Sequence, residues 1–161
     1  MKLATVAGAL FVTLAMLATA VQVRAEPQKG SGMSHQATGA FEVTLTPVGA
    51  GDEVDGVALG RMSLDKRFHG DLEATSKGEM LSVRSAEGSA TYVAIERVSG
   101  RLGGREGGFV LVHRGVMTPE TRTLEVDVAP GSGTGALKGL NGRMTIEIAE
   151  GRHSYRLDYA L

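Results

Sequence analysis

Four side chains in the sequence are candidates for ligand binding or acid–base chemistry: Glu73, Tyr92, Glu96 and His113. His113 shares one face of its strand with Phe109, Leu111 and Met117, so we expect it to point into an apolar interior. A buried imidazole needs a polar partner, and in a pocket it could act as an acid or a base. The alternative is a structural histidine that is bonded to a backbone carbonyl or a carboxylate.

The orientation of Glu96 depends on which face of its strand is buried. Glu96 shares one face with Tyr92 and Ala94, and Val93 and Ile95 occupy the other. We expect the Val93 and Ile95 face to be buried, which places Glu96 outside. A shift of one residue in register would instead bring Glu96 and Tyr92 inside.

A second group of polar side chains contains His69, Asp71 and Glu73. On a single strand these three residues would share one face. One imidazole and two carboxylates could bind a divalent metal or carry out proton transfer. No second histidine lies nearby, so we predict a solvated outer face and no metal site.

Other catalytic motifs are missing from the sequence. It contains no cysteine, which excludes disulfides, thiolate nucleophiles and cysteine-ligated metals. It has neither a GxSxG nor an HExxH motif. The glycine-rich segment 131–135, with Lys138 after it, lacks the GxxxxGK[ST] spacing of a phosphate-binding loop. We therefore predict no cofactor.

The composition limits the partners that the chain can have. Its 161 residues are enough for one domain. Its net charge of -1 argues against binding to nucleic acid, which requires a basic surface. Aromatic residues make up 4% of the chain, which leaves few side chains on which bases or sugars could stack.

The first 25 residues have the pattern of a secretory signal peptide. Lys2 precedes an uncharged run of residues 3–23, and Val23-Arg24-Ala25 ends the pattern with small residues. We place the cleavage site after Ala25, with Ala20 as a second candidate; the alternative is an uncleaved membrane anchor. Cleavage would leave a periplasmic or secreted protein without stable membrane insertion. Residues 26–36 are polar and predict a flexible linker.

Residues 37–161 show alternation with a period of two, which is typical of half-buried strands. The clearest runs are residues 41–46, 62–68, 92–98, 109–117, 124–128, 144–148 and 155–161. Glu150-Gly151 predicts a tight hairpin between the last two runs. Seven or eight short strands indicate an all-β closed barrel or a sandwich, and the 23 glycines favour the barrel.

Several segments resemble a family of small bacterial proteins of unknown function. The resemblance rests on GRMSLDK at 60–66, FHGDLEA at 68–74, YVAIE at 92–96, GFVLVH at 108–113, GSGTG at 131–135 and MTI at 144–146. It covers residues 37–161 and implies an eight-stranded antiparallel barrel similar to that of allene oxide cyclase. The family has no assigned activity. Barrels of this type associate through outward apolar residues, so we also expect a homo-oligomer.

Three functions are consistent with such a barrel. The first is a binding protein for a small apolar ligand, because an eight-stranded barrel can enclose one small molecule. The second is a structural or interaction protein whose barrel is filled with side chains. The third is a cyclase or isomerase, by analogy with allene oxide cyclase. We favour the binding protein.

Overall fold

The computed structural model describes residues 34–161. The predicted signal peptide at 1–25 and most of the predicted linker lie outside these residues. The described residues form ten strands and no helix, and so include no helix that could cross a membrane. Strands β1 to β10 are His35–Pro47, Asp52–Val54, Val57–Gly70, Leu72–Ser85, Ala90–Leu102, Arg105–Met117, Arg122–Val128, Thr134–Gly135, Asn141–Ala149 and Arg152–Ala160.

Eight of these strands close into an antiparallel barrel, as predicted. Their order is β1, β10, β9, β7, β6, β5, β4 and β3, and β1 also pairs with β3. The two short strands are additions, with β2 paired to β3 and β8 paired to β6. Closure leaves none of the eight strands with an open edge.

The turns follow from residues that tolerate positive φ. Glu150 and Gly151 have φ values of 51° and 75° and join β9 to β10, which confirms the predicted hairpin. Gly70, with φ of 103°, ends β3 and allows the chain to turn into β4. β1 begins at His35, two residues before the predicted start of the domain, and the His35 ring stacks on Tyr159.

The apolar core fills one half of the barrel. Its buried side chains are Ala37, Phe41, Phe68, Leu72, Ala74, Val98, Leu102, Phe109, Leu111, Val126, Val128, Leu137, Leu140, Met144, Tyr155 and Leu157. We call this half the packed end. The opposite half, which we call the mouth, lies where β1, β4 and β6 end and β3 and β5 begin. Among the described residues, this cluster of buried apolar side chains lies at the packed end and does not extend to the mouth.

Candidate functional site

Four polar side chains meet in the middle of the barrel: Lys66, Ser76, Glu96 and His113. We call them the polar cluster. They lie on the adjacent strands β3, β4, β5 and β6, each at an inward position and each buried. Lys66 pairs with Ser76 across β3 and β4. Gly78 lies opposite Glu96 and adds no side chain, which leaves room for the carboxylate.

The Glu96 carboxylate is the centre of the polar cluster. Its side chain is 0% exposed. Lys66 Nζ lies 2.6 Å from Oε2, and Ser76 Oγ donates to Oε1. The Lys66 ammonium also lies 4.8 Å from the centre of the Phe41 ring and 5.6 Å from that of Phe68. The buried cation is therefore stabilised by one carboxylate and by the faces of two aromatic rings.

Burial alone would raise the pKa of Glu96. The contacts with His113, Lys66 and Ser76 lower it by more than burial raises it, so the pKa of Glu96 is below its ordinary value. Glu96 is therefore held as a carboxylate inside the barrel. Lys66 compensates this negative charge. Without such a partner, a buried carboxylate would be too costly to keep ionised.

His113 is close to Glu96 but is poorly bonded to it. Its Nε2 lies 2.9 Å from Glu96 Oε2, within ion-pair distance. That contact is not aligned as a hydrogen bond, and among the described residues Nε2 has no hydrogen-bond partner. The His113 residue is 3% exposed. A buried polar atom without a partner is uncommon in a native protein and often marks a functional position.

A cavity of about 510 Å³ lies at the mouth. Its walls include the segment 47–53 and the inward side chains of Met62, Met80, Tyr92 and Met117. These four side chains occupy inward positions on the adjacent strands β3 to β6, and each lies four residues along its strand from a member of the polar cluster. The volume lies within the range of ordinary small-molecule pockets.

On each of these four strands, one inward position lies between the cavity residue and the member of the polar cluster. These separating positions are Leu64, Gly78, Ala94 and Gly115, three of which are glycine or alanine. The Tyr92 ring covers Gly115, since a Cβ at that position would lie 2.1 Å from the ring. The barrier between the cavity and the polar cluster therefore consists mainly of the Leu64 side chain and the Tyr92 ring.

The structure brings two of the four predicted site residues together. His113 is interior, as predicted, and it contacts Glu96. Tyr92 lines the mouth cavity, and burial raises the pKa of its hydroxyl. Glu73 lies apart from these residues, exposed on the outside of β4 and 3.9 Å from Arg101. Lys66 and Ser76 were not identified from the sequence, because only the strand register places them beside Glu96.

Two predictions about orientation were wrong. Glu96 points inward, and Val93 and Ile95 point outward with exposed fractions of 50% and 63%. The cause is that Lys66, Ser76 and His113 provide polar partners inside the barrel.

The residues His69, Asp71 and Glu73 do not share one strand, because β3 ends at Gly70 and β4 begins at Leu72. His69 instead contacts Glu42 at 2.9 Å, and Asp71 accepts a hydrogen bond from the backbone of Thr38. Within residues 34–161, no three metal-ligating side chains converge.

The outer face of β4, β5 and β6 carries an exposed apolar strip. It contains Leu81, Val93, Ile95 and Val112, which alternate with the inward residues of the cavity and the polar cluster. The strip explains why the sequence pattern favoured the opposite orientation for β5. Its side chains face solvent in the single chain, and an exposed apolar surface of this kind often marks an interaction site.

The comparisons with known proteins give a family and a fold but no activity. Residues 37–159 match the family model described as "Protein of unknown function (DUF3224)". The crystal structure of a protein of unknown function from the DUF3224 family, from Shewanella oneidensis MR-1, is 51% identical to this chain, with a TM-score of 0.75. The match covers 80% of this chain and 98% of that one. No curated protein matches the chain.

Proposed function

The chain belongs to the DUF3224 family of proteins of unknown function, and we propose that it is an exported β-barrel protein that binds a small apolar ligand at the mouth of its barrel. The observation that carries the proposal is the cavity of about 510 Å³ beside the inward side chains of Met62, Met80, Tyr92 and Met117. Methionines are flexible and polarisable, so they suit a pocket that must adapt to an apolar molecule.

Apolar side chains on the other side of the mouth support this proposal. Leu45, Leu124 and Ile148 occupy inward positions on β1, β7 and β9, yet they are 43%, 39% and 67% exposed. Inward apolar side chains would normally be packed, as they are at the other end. A ligand in the mouth would remove this surface from water.

Export is proposed from the pattern of residues 1–25, which combines a positive start, an apolar middle and a small-residue exit. Native mass spectrometry of the protein purified from the periplasm of its host tests export and binding together. We expect a chain that begins at Glu26 and carries an extra mass that is lost on mild activation. A full-length chain in the membrane fraction would contradict export, whereas a bare protein mass would count against a tightly retained ligand.

Binding at the mouth is tested by placing a charge in the cavity. We expect Met80→Glu to weaken binding of the uncharged fluorescent probe 1-N-phenylnaphthylamine at least tenfold, because a carboxylate lowers the affinity of an apolar pocket. The control is Thr75→Glu, which places the same charge on the exposed outer face of the same strand, away from the apolar strip. Probe fluorescence on titration gives the Kd of each variant.

Equal affinity of both variants and the native protein for the probe would show that the mouth is not the binding site. Absence of probe binding to the native protein would count against an apolar pocket of any kind. Urea unfolding of both variants checks that each is folded at the probe concentrations used.

We also propose that the outer apolar strip binds a second copy of the chain. Two neighbouring rows cross the strip, and in strand order they contain Glu79, Ile95, Val112 and Asp127, and Arg61, Leu81, Val93 and Arg114. The charged residues at the ends of these rows are already paired within the chain: Glu79 with Arg61 and Asp127 with Arg143, each at 2.8 Å, and Arg114 with Glu125 at 3.7 Å. The apolar side chains at the centre of the two rows are therefore the surface that a second copy would cover in a self-complementary, two-fold contact.

A charge at the centre of this strip tests the association. We expect Ile95→Lys to convert a dimer into a monomer, because two lysines would meet in an apolar interface. Light scattering at micromolar concentration measures the mass. Thr44→Lys, on the exposed outer face of β1, is the matched control and should leave the dimer intact. A monomeric native protein would contradict the proposal.

A further inference from the structure

We propose that the polar cluster binds the polar group of the ligand, and that this group is an uncharged hydrogen-bond acceptor such as a ketone or ester carbonyl. The inference rests on the proposed function, since it assigns the other end of the same ligand. The ligand is then an apolar chain that carries one acceptor oxygen. The chain lies in the mouth cavity, and the oxygen lies at His113.

His113 provides the donor. Glu96 already has Lys66 on one carboxylate oxygen and Ser76 on the other, so it stays paired if the imidazole turns away. Within the described residues, Nε2 of His113 has no hydrogen-bond partner although the residue is 97% buried, being 3% exposed. A ligand oxygen that accepts a hydrogen bond from Nε2 would remove the cost of leaving this atom unpaired. The same oxygen could accept from a second N–H of the Lys66 ammonium, which has three.

The charges in the polar cluster determine the type of group that can bind. Lys66 and Glu96 compensate each other at 2.6 Å, so the pair is already neutral. A ligand carboxylate would add an uncompensated negative charge to a buried site, and a ligand ammonium would face Lys66. A neutral acceptor uses the spare donors without changing the total charge. The polar cluster therefore selects a carbonyl over an acid or an amine.

The small residues between the cavity and the polar cluster leave a route for the ligand. Gly78, Ala94 and Gly115 occupy three of the four separating positions. The Tyr92 ring lies on Gly115, so its rotation would open the part of the barrier next to β6, while Leu64 on β3 forms the other part. The separation of four residues along each strand corresponds to about 13 Å. A chain of about ten carbons can reach across this distance.

The experiment compares a ketone with its hydrocarbon counterpart. We measure displacement of 1-N-phenylnaphthylamine by 2-undecanone and by undecane from the native protein and from His113→Phe, which keeps a flat aromatic ring but has no ring N–H to donate. We expect the Kd of the ketone to rise about tenfold in His113→Phe, as for one lost hydrogen bond, and the Kd of undecane to stay within twofold. His35→Phe, at the packed end, is the matched control and should change neither value.

Infrared spectroscopy provides a readout that does not depend on the variant. The carbonyl stretch of 2-undecanone bound to the native protein should lie at lower wavenumber than in a hydrocarbon solvent. If the probe binds but His113→Phe weakens the ketone and undecane equally, or if the carbonyl band is unshifted, this inference is wrong and the proposed function stands. If the probe does not bind at all, both fail. Tighter binding of decanoate than of the ketone at pH 7 would overturn the assignment of an uncharged group.

Discussion

Replacing Lys66 with methionine is expected to lower the free energy of unfolding by about 3–5 kcal/mol at pH 7. The variant keeps the volume of the side chain but removes the cation that lies 2.6 Å from the Glu96 carboxylate. The Glu96 side chain is 0% exposed, so water cannot replace the lost partner. Breaking a buried pair from one side is costly for this reason. Urea unfolding followed by circular dichroism measures the change.

The pH dependence should change direction in this variant. In the native protein the pKa of Glu96 is below its ordinary value, so its contribution to stability is full above about pH 4.3 and is lost as the pH falls further. Without Lys66, we expect burial to outweigh the remaining contacts with His113 and Ser76 and to raise the pKa of Glu96 above its ordinary value. The folded state then takes up a proton, so we expect Lys66→Met to gain stability relative to the native protein between pH 7 and pH 5. His113 Nε2 faces the same carboxylate oxygen at 2.9 Å.

Two further variants test whether the loss of stability in Lys66→Met comes from the buried charge pair. Lys66→Met combined with Glu96→Gln removes both charges and should recover most of the lost stability. Lys77→Met removes a lysine whose side chain is 88% exposed and 3.5 Å from Asp65, and it should change the unfolding free energy by less than about 0.5 kcal/mol. If Lys66→Met were as mild as Lys77→Met, the polar cluster would not be a buried charge pair.

The barrel could be predicted from the sequence largely because its strands have regular alternation. Residues 124–128 and 144–148 lie in strands as predicted, and Glu150-Gly151 forms the predicted turn. β4 was not identified, because its inward positions include Ala74, Ser76 and Gly78, which are small or polar. The same small and polar side chains make room for Glu96. They therefore explain both why β4 lacks an apolar pattern in the sequence and why the polar cluster fits beside it.

The candidate site could be predicted only in part for a related reason. His113 lies among apolar neighbours on its own strand, and its burial follows from that strand alone. Glu96 has apolar neighbours on the opposite face, so its own strand predicts the wrong orientation. Its partners come from three other strands and meet only through the register of the closed barrel. Alternation within one strand does not contain that information.

Gly39 lies where β1 closes the barrel, and we expect Gly39→Ala to lower the free energy of unfolding by about 3 kcal/mol. A Cβ at this position would lie 1.9 Å from the carbonyl oxygen of His69 and 2.6 Å from the Tyr155 hydroxyl. That hydroxyl donates to the His69 carbonyl at 3.2 Å and accepts from the Leu72 amide at 2.9 Å. The added methyl group must therefore displace paired backbone on β3, which cannot move alone.

The lower stability of Gly39→Ala should appear as opening of the barrel between β1 and β3. β1 pairs with β3 on one side and with β10 on the other, and the added Cβ would clash with the His69 carbonyl on β3. Hydrogen exchange of Gly39→Ala should be faster for amides of β1 and β3 than for those of β5 and β6. Ala40→Val, at the next position and exposed, adds bulk outside the barrel and should leave both stability and exchange nearly unchanged. Uniform acceleration of exchange in all strands would instead mean that β1 does not open independently. In that case barrel closure and the rest of the fold would be lost in one cooperative step.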